Sequence, residues 1–461
     1  MRDFSPQIEM QPVGNLRPYR GNARTHSKEQ VKQIANSIGQ FGFTNPVLVS
    51  DDNEIIAGHG RVMAAKELGL NEVPTLKLSH LTAEERRAYV LADNKLVLNA
   101  GWDTETLAIE LQALIDIDFD VSLTGFSVAE IDLTIDAVNE ASPSKPDKED
   151  AVPEPPAEPV SRSGDIWLLG RHKLLCGDAR SCSDIVRLMA DSKADLVFTD
   201  PPYNVRVDGN VCGSGSIRHR EFAFASGEMS KDQFTGFLAE TLGNASAVCR
   251  DGAIAFVCMD WRHMSELLKA GSSVFSELKN LCVWNKTNGG MGTFYRSKHE
   301  LVFVFKVGMA PHTNNFGLGE SGRYRTNVWN YAGISSSGSS RMQELEMHPT
   351  VKPVAMIAEA IKDCTKRGEL VLDVFAGSGS TLIAAQACGR MARVVEYDPI
   401  YCDTIIARWE QYSGIPAMLE GTGIQFDEVA RQRLAQKENQ INNEMNAIKR
   451  QQDVHSLANS S

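Results

Sequence analysis

Short, nearly continuous apolar runs punctuate the chain from residue 164 onward: DLVFT (195–199), AIAFVCM (253–259), NLCVWN (280–285), ELVFVFK (300–306), LVLDVF (370–375) and ARVVE (392–396). Runs of this length without strict alternation suit strands buried on both faces of a mostly parallel sheet. Helical spacing of apolar residues lies between several of them, over 231–248, 353–364 and 399–412. Together they predict an α/β, doubly wound, Rossmann-like sheet. The first hundred residues have a different texture. NPVLVS (45–50) reads as a strand, NEIIAGHGR (53–61) as a strand entering a turn, and RVMAAKELGL (61–70) as a helix that Gly69 stops. Apolar and acidic residues alternate at roughly helical spacing over 101–141. Residues 142–161 hold six of the 18 prolines and almost nothing apolar, which predicts an extended linker. Beyond about 427 the sequence is polar and helix-prone, and the last ten residues read as disordered. The expected domains are 8–98, an acidic helical segment with a Pro-rich linker over 99–161, 162–426, and a polar tail over 427–461.

A chain of 461 residues with 42% hydrophobic and 23% charged positions is globular in composition, which excludes collagen-like and wholly disordered classes. No apolar run reaches membrane-span length, and the N-terminus MRDFSPQIEM lacks a signal-peptide core, so no membrane association is expected. Nine cysteines, an odd number without a C-x-x-C pair, predict reduced thiols, a cytoplasmic setting and no structural metal. The net charge of −12 disfavours nucleic acid at first sight. By block the meaning changes: residues 1–100 are net +1, 101–161 net −13, 162–400 net +2 and 401–461 net −2. The acidity belongs to the inter-domain segment.

Two stretches carry chemistry. Asp200-Pro201-Pro202-Tyr203 follows the run DLVFT directly. An acid at the carboxyl end of a strand sits where open α/β sheets build their sites. The prolines donate no N–H and leave their carbonyls free, and Tyr203 offers a face on which a planar heterocycle can stack. This set suits an exocyclic amine. The second stretch, Val371 to Thr381, runs from a strand into a glycine-rich turn and a helix, and the next strand ends at Glu396. The turn lacks both G-x-G-x-x-G spacing and the Gly-Lys-Ser/Thr of a P-loop, so hydride transfer and ATP hydrolysis fit poorly.

Residues 164–415 resemble the DNA amino-methyltransferases, the adenine-N6/cytosine-N4 family. The resemblance rests on DPPY (200–203), HPTVKP (348–353), FAGSGS (375–380) and VVEYDPIYCDTIIARW (394–409), in the order of the family's β-type permutation. It implies S-adenosylmethionine as cofactor and double-stranded DNA as substrate. By that resemblance Asp200, Pro201, Pro202 and Tyr203 hold a flipped base. Phe375, Ala376, Gly377, Ser378, Gly379 and Thr381 line the methionine end of the cofactor, Glu396 meets its ribose, Lys352 its carboxylate, and Asp178 lies near its adenine. Ser380 stands where the family more often has threonine. The Asp-type tetrad favours adenine N6, with cytosine N4 as the alternative. DNA contacts are expected from Arg206, Arg218 and Arg220 in 204–227, and from Arg323, Arg325 and Arg341 in the Gly/Ser/Asn-rich stretch 307–347, which has no sheet pattern.

Residues 8–98 resemble the α+β ParB/sulfiredoxin-like domain through LRPYRGNARTHS (16–27), 40–69 and VPTLKL (73–78). This block has no cysteine, which excludes sulfiredoxin chemistry. The ParB resemblance implies a nucleotide triphosphate at Asn22, Arg24, Gly58, Gly60 and Arg61; the alternative is a degenerate docking module. His59 reads as a turn histidine making one backbone hydrogen bond. A partition-like DNA-binding protein with a vestigial methylase is the competing class, and the intact tetrad and Glu396 speak against it. His26 and His59 lack paired carboxylates for a nuclease. A homodimer and a restriction endonuclease partner stay open.

Overall fold

The computed structural model describes residues 7–117, 119–141, 149–205, 227–287, 294–316, 323–332 and 351–437. The chain forms two compact units, Met1–Pro143 and Ser144–Ser461. No helix among the described residues is long and apolar enough to cross a membrane.

The first unit has five short strands: β1 (Ile8–Pro12), β2 (Arg17–Pro18), β3 (Val47–Val49), β4 (Glu54–Ala57) and β5 (Glu72–Lys77), in the order β1-β5-β3-β4-β2. Helices α1 (Lys28–Phe41) and α2 (His59–Glu67) accompany the sheet, and α3 (Ala83–Val97) follows it. Val47, Val49, Ile55, Val62, Ala65 and Val73 form its small core. Helix starts follow local chemistry: the Ser27 hydroxyl accepts the Gln30 N–H at 3.1 Å, and Thr82 and Glu85 form a reciprocal capping box. Two further helices, α4 (Thr104–Asp116) and α5 (Val128–Ala141), pack on each other through Leu111, Ile131 and Ile135. These helices are the segment of 101–141 in which apolar and acidic residues alternate; Leu111, Ile131 and Ile135 are buried between them, and so is the Asp132 carboxylate.

The second unit is an 11-stranded sheet in the order β12-β10-β11-β9-β8-β13-β14-β7-β6-β15-β16. Its strands are β6 (Ile166–Leu169), β7 (His172–Cys176), β8 (Ala194–Thr199), β9 (Cys249–Met259), β10 (Glu277–Asn285), β11 (His299–Lys306), β12 (Val328–Asn330), β13 (Leu370–Asp373), β14 (Met391–Glu396), β15 (Met418–Leu419) and β16 (Ile424–Gln425). Only β9-β8-β13-β14-β7 form a continuous parallel block; β10, β11, β6, β15 and β16 add antiparallel edges, so the sheet is less uniformly parallel than expected. Side chains alternate between faces along each strand. Leu196, Phe198, Val371 and Val394 pack under α9 (Val354–Cys364), α10 (Ser380–Ala387) and α11 (Pro399–Ser413). Val197, Leu372 and Val395 pack under α6 (Cys182–Met189), α7 (Lys231–Ala247) and α8 (Met264–Val274). Two helical layers on one sheet make the doubly wound architecture.

Two expectations change here. The stretch 307–347 contributes β12, which pairs in parallel with β10 through Val283–Val328, Trp284–Trp329 and Asn285–Asn330. The Pro-rich segment is not wholly extended linker either. Asp150 accepts the Val354 N–H at 2.9 Å, and Asp403 on α11 accepts the N–H groups of Val160 and Ser161 at 2.5 and 3.0 Å. From 149 onward the segment is therefore tied to the α/β unit.

Candidate active site

The parallel block aligns the carboxyl ends of β7, β8, β13 and β14 along one edge. Val371 pairs with Leu196 and Leu372 with Val197, Asp373 with Val394, and Glu396 with Cys176. Asp178, Asp200, Asp373 and Glu396 accordingly all line one cleft with about 1320 Å3 of empty space. Pro201, Pro202, Tyr203, Lys352, Phe375, Ala376, Gly377, Ser378 and Thr381 line the same cleft. The expected catalytic and cofactor residues thus converge, although they are far apart in sequence. Gly379 is behind the lining. Its φ of +84° opens α10 in a left-handed turn, and a Cβ there would meet Ile405 at 3.1 Å.

The strand-tip carboxylates, Asp373 buried and the others partly buried, are balanced differently. Asp373 accepts the hydroxyls of Thr199 (2.8 Å) and Thr381 (2.6 Å) and the Phe375 N–H (3.0 Å). Burial pushes its carboxyl up to about 6 against those bonds. Glu396 accepts the N–H groups of Gly377 (2.8 Å) and Asp398 (2.9 Å), and burial raises it to about 7. Asp178 is paired with Arg180 at 2.7 Å; despite the opposing effect of burial, that partner holds it below the usual range.

Asp200 anchors a different cluster. Its Oδ1 accepts the Tyr203 hydroxyl at 2.6 Å, and its Oδ2 is ion-paired with Lys352. Lys352 Nζ also lies 3.2 Å from Glu300, which is in turn ion-paired with Lys286. Burial raises the Asp200 carboxyl, with Lys352 pulling the other way. Glu300 is held down to about 2: burial opposes this, and Lys352 and Lys286 outweigh it. The lysine stays protonated, because Asp200 and Glu300 more than offset the burial of its charge. Lys352, expected at the cofactor carboxylate, lines the same cleft as the expected cofactor residues, with its ammonium paired with the Asp200 carboxylate.

Other expectations are corrected or fall elsewhere. Arg323, 5% exposed, donates to Glu359 and Asp363 at 2.8 Å, and Arg325 donates to Asp363 at 2.8 Å and lies 5.5 Å from the Trp329 ring. Both guanidiniums clamp β12's approach to α9 from inside the fold, so they are not DNA contacts there. Arg206, Arg218, Arg220 and Arg341 lie outside the described residues. Asp373, Glu300 and Lys286 were not singled out from sequence. The Asp373 signal was present, an acid at the end of an apolar run. Glu300 gave none under a parallel reading, because it lies at the start of an antiparallel strand, which returns to the same edge.

In the first unit Asn22, Arg24, Gly58, Gly60 and Arg61 line a second cleft, with about 670 Å3 of empty space, beside His26, His59 and Asp93. Gly58 adopts φ +100° at the start of α2. His59 Nε2 accepts the Tyr19 N–H at 3.3 Å, the single backbone bond expected of it.

Comparison with known proteins matches three regions of the chain. Residues 194–407 match the DNA methylase family, 105–163 the ParB-methyltransferase HTH domain, and 5–95 the ParB N-terminal domain. The chain is similar to the ParB-like nuclease domain-containing protein YnaK of Escherichia coli (strain K12), 56% identical over 81 residues, covering 18% of this chain and 93% of that protein. It is also similar to the type II methyltransferase M2.MboI of Moraxella bovis, 23% identical over 215 residues, covering 44% of this chain and 76% of the relative. Among solved structures, the M1.HpyAVI–SAM complex aligns with 20% identity and a TM-score of 0.38, covering 51% of this chain and 97% of that one.

Asp373 gives the site a measurable pH signature. Its carboxyl stands at about 6 in the folded protein against 3.8 in the open chain. A raised folded value contributes stability that is full below the unfolded value and is lost as pH rises through the folded one. The stability difference between wild type and Asp373→Asn should therefore fall by roughly 3 kcal/mol between about pH 4 and pH 7, read by urea unfolding. A difference that does not change with pH contradicts the buried, hydrogen-bonded placement.

Proposed function

Because this chain belongs to the DNA methylase family and carries a ParB N-terminal domain in the same polypeptide, we propose that it methylates the exocyclic N6 of a flipped-out adenine at a specific site in DNA. The methyl donor is S-adenosylmethionine. The observation that carries the reading is a juxtaposition: the Asp200–Tyr203 tetrad and the glycine turn with Glu396 line a single cleft.

The lining fits the donor. Glu396 is a buried carboxylate whose protein partners are two backbone N–H groups, leaving lone pairs for sugar hydroxyls at the tip of β14. Phe375 and Tyr397 add flat apolar surface. When bound, S-adenosylmethionine supplies a sulfonium methyl that an attacking nitrogen takes as the carbon–sulfur bond breaks with its electron pair on sulfur. The protein's part is positioning and charge. Asp200 accepts an amine N–H and takes up the proton that nitrogen loses, consistent with a carboxyl that burial raises. Tyr203, held by its hydroxyl on Asp200, offers its ring for stacking. The aspartate at the head of the tetrad favours adenine over cytosine.

The first unit supports a second binding reading, a nucleoside triphosphate in its own cleft. Arg24 and Arg61 flank the left-handed turn at Gly58, where α2 begins, and a helix N-terminus with adjacent guanidiniums suits phosphate.

Two measurements test these readings. Full-length protein incubated with unmethylated genomic DNA and labelled S-adenosylmethionine should yield N6-methyl-2′-deoxyadenosine on nucleoside analysis, and Asp200→Ala should lower the rate at least about 1000-fold. Transfer that survives Asp200→Ala contradicts the mechanism, and N4-methylcytosine as product selects the cytosine alternative. Calorimetric titration with each common nucleoside triphosphate should show one that binds and that Arg61→Ala weakens about tenfold or more. No binding by any of them overturns the second reading.

A further inference from the structure

Lys352 occupies a place that the proposed chemistry needs for something else. Its side chain is 5% exposed, and its ammonium is paired with Asp200 Oδ2, 3.4 Å from the Tyr203 hydroxyl and 5.5 Å from the centre of the Tyr203 ring. Those are the groups that must receive an exocyclic amine. Asp200 Oδ1 already accepts the Tyr203 hydroxyl, so Oδ2 is the oxygen for an incoming N–H, and Lys352 holds it.

The lysine has a second place to go. Glu300 Oε2 is 3.2 Å from the ammonium, and Glu300 Oε1 is held by Lys286, whose own ammonium lies 4.5 Å from the Trp284 ring centre. Asp200, Lys352, Glu300 and Lys286 thus form an alternating chain of two anions and two cations. Breaking one buried pair is costly when a charge is left alone and cheap when another partner waits. Resting on the reading above, we propose that Lys352 is a stand-in occupant of the target-amine position, and that Glu300 is the positioning residue that receives it when the base enters.

Two features follow from this arrangement. The resting pair favours the ionised form of Asp200 until a base arrives. It also shows that the position accommodates a positively charged nitrogen, the charge that develops on the amine as it is methylated. Without Glu300, Lys352 would have no second carboxylate within ion-pair distance among the described residues, and the incoming amine would have to strand a buried ammonium.

The test is a cycle of Glu300→Gln, Lys352→Met and the double variant, with labelled methyl transfer and calorimetric S-adenosylmethionine binding measured for each. Glu300→Gln should lower kcat about 100-fold with cofactor affinity unchanged, and Lys352→Met should lower it no more than about tenfold. Adding Lys352→Met to Glu300→Gln should restore most of the loss, because no ammonium then needs a refuge. Losses that multiply, or a Lys352→Met as inactive as Asp200→Ala, overturn the proposal. A second readout does not depend on turnover: the Asp200 carboxyl followed by carbon-13 NMR, assigned by its absence in Asp200→Asn. The groups facing Asp200 are Tyr203, Glu300, Cys258, Asp373 and Lys352 itself. Lys352 is the cation among them, so Lys352→Met should move this titration to higher pH. An unmoved titration contradicts the pairing even where wild type transfers no methyl, whereas absence of wild-type transfer alone counts against the methylation reading only.

Discussion

Desolvation of carboxylates at one edge of a sheet is the constraint on which the rest of this molecule depends. Asp200, Glu300, Asp373 and Glu396 lie there, and burial works against the ionised form of each. Each is therefore supplied with partners that fix the residues around it. Thr199 and Thr381 are needed as hydroxyls because Asp373 lies between β8 and α10. Gly377 brings its N–H to Glu396, which requires the turn to pass close to the tip of β14. Asp200 and Glu300 share Lys352, and Glu300 is also paired with Lys286. Asp373 and Glu396, on the proposed cofactor side, are balanced by neutral donors, and Asp200 and Glu300, on the proposed base side, by cations. That division matches what each half would bind, a neutral sugar on one side and a nitrogen that becomes positive on the other.

The residues legible in the sequence share one signature, an acid at the end of an apolar run followed by a turn. Asp200 and Glu396 stand out by it. Asp373 carries the same signature but hides inside LVLDVF, because the run continues after the strand has ended at 373. Glu300 was illegible for a topological reason. Its strand is antiparallel to β9, which brings a strand's start, not its end, to the catalytic edge. Arg323 and Arg325 misled because a Gly- and Ser-rich setting suggests solvent. Their partners Glu359 and Asp363 are one helical turn apart on α9, and become partners only once that helix packs. The proline-rich segment misled in the same way: its backbone N–H groups find Asp403 some 240 residues later. Local composition carries no trace of such a contact.

Charge placement bears on how DNA would be engaged. Residues 101–141 contain ten carboxylates and no Lys, Arg or His, although 105–163 match an HTH domain family. Phosphate affinity is a matter of cations, so this helical pair cannot supply it. With Arg323 and Arg325 committed to the fold, Arg206, Arg218, Arg220 and Arg341 stand as the remaining arginines expected at DNA. By block, residues 1–100 are net +1 and 162–400 net +2, so the global −12 comes almost wholly from 101–161 at net −13.

In the proposed reaction one cleft places Glu396 at the cofactor and Asp200 at the target amine. Calorimetric titration of S-adenosylmethionine into wild type, Glu396→Gln and Asp200→Asn tests it most directly. The account predicts that Glu396→Gln weakens binding at least about tenfold while Asp200→Asn stays within about twofold of wild type. Undiminished binding in Glu396→Gln, or binding lost in Asp200→Asn, would contradict it.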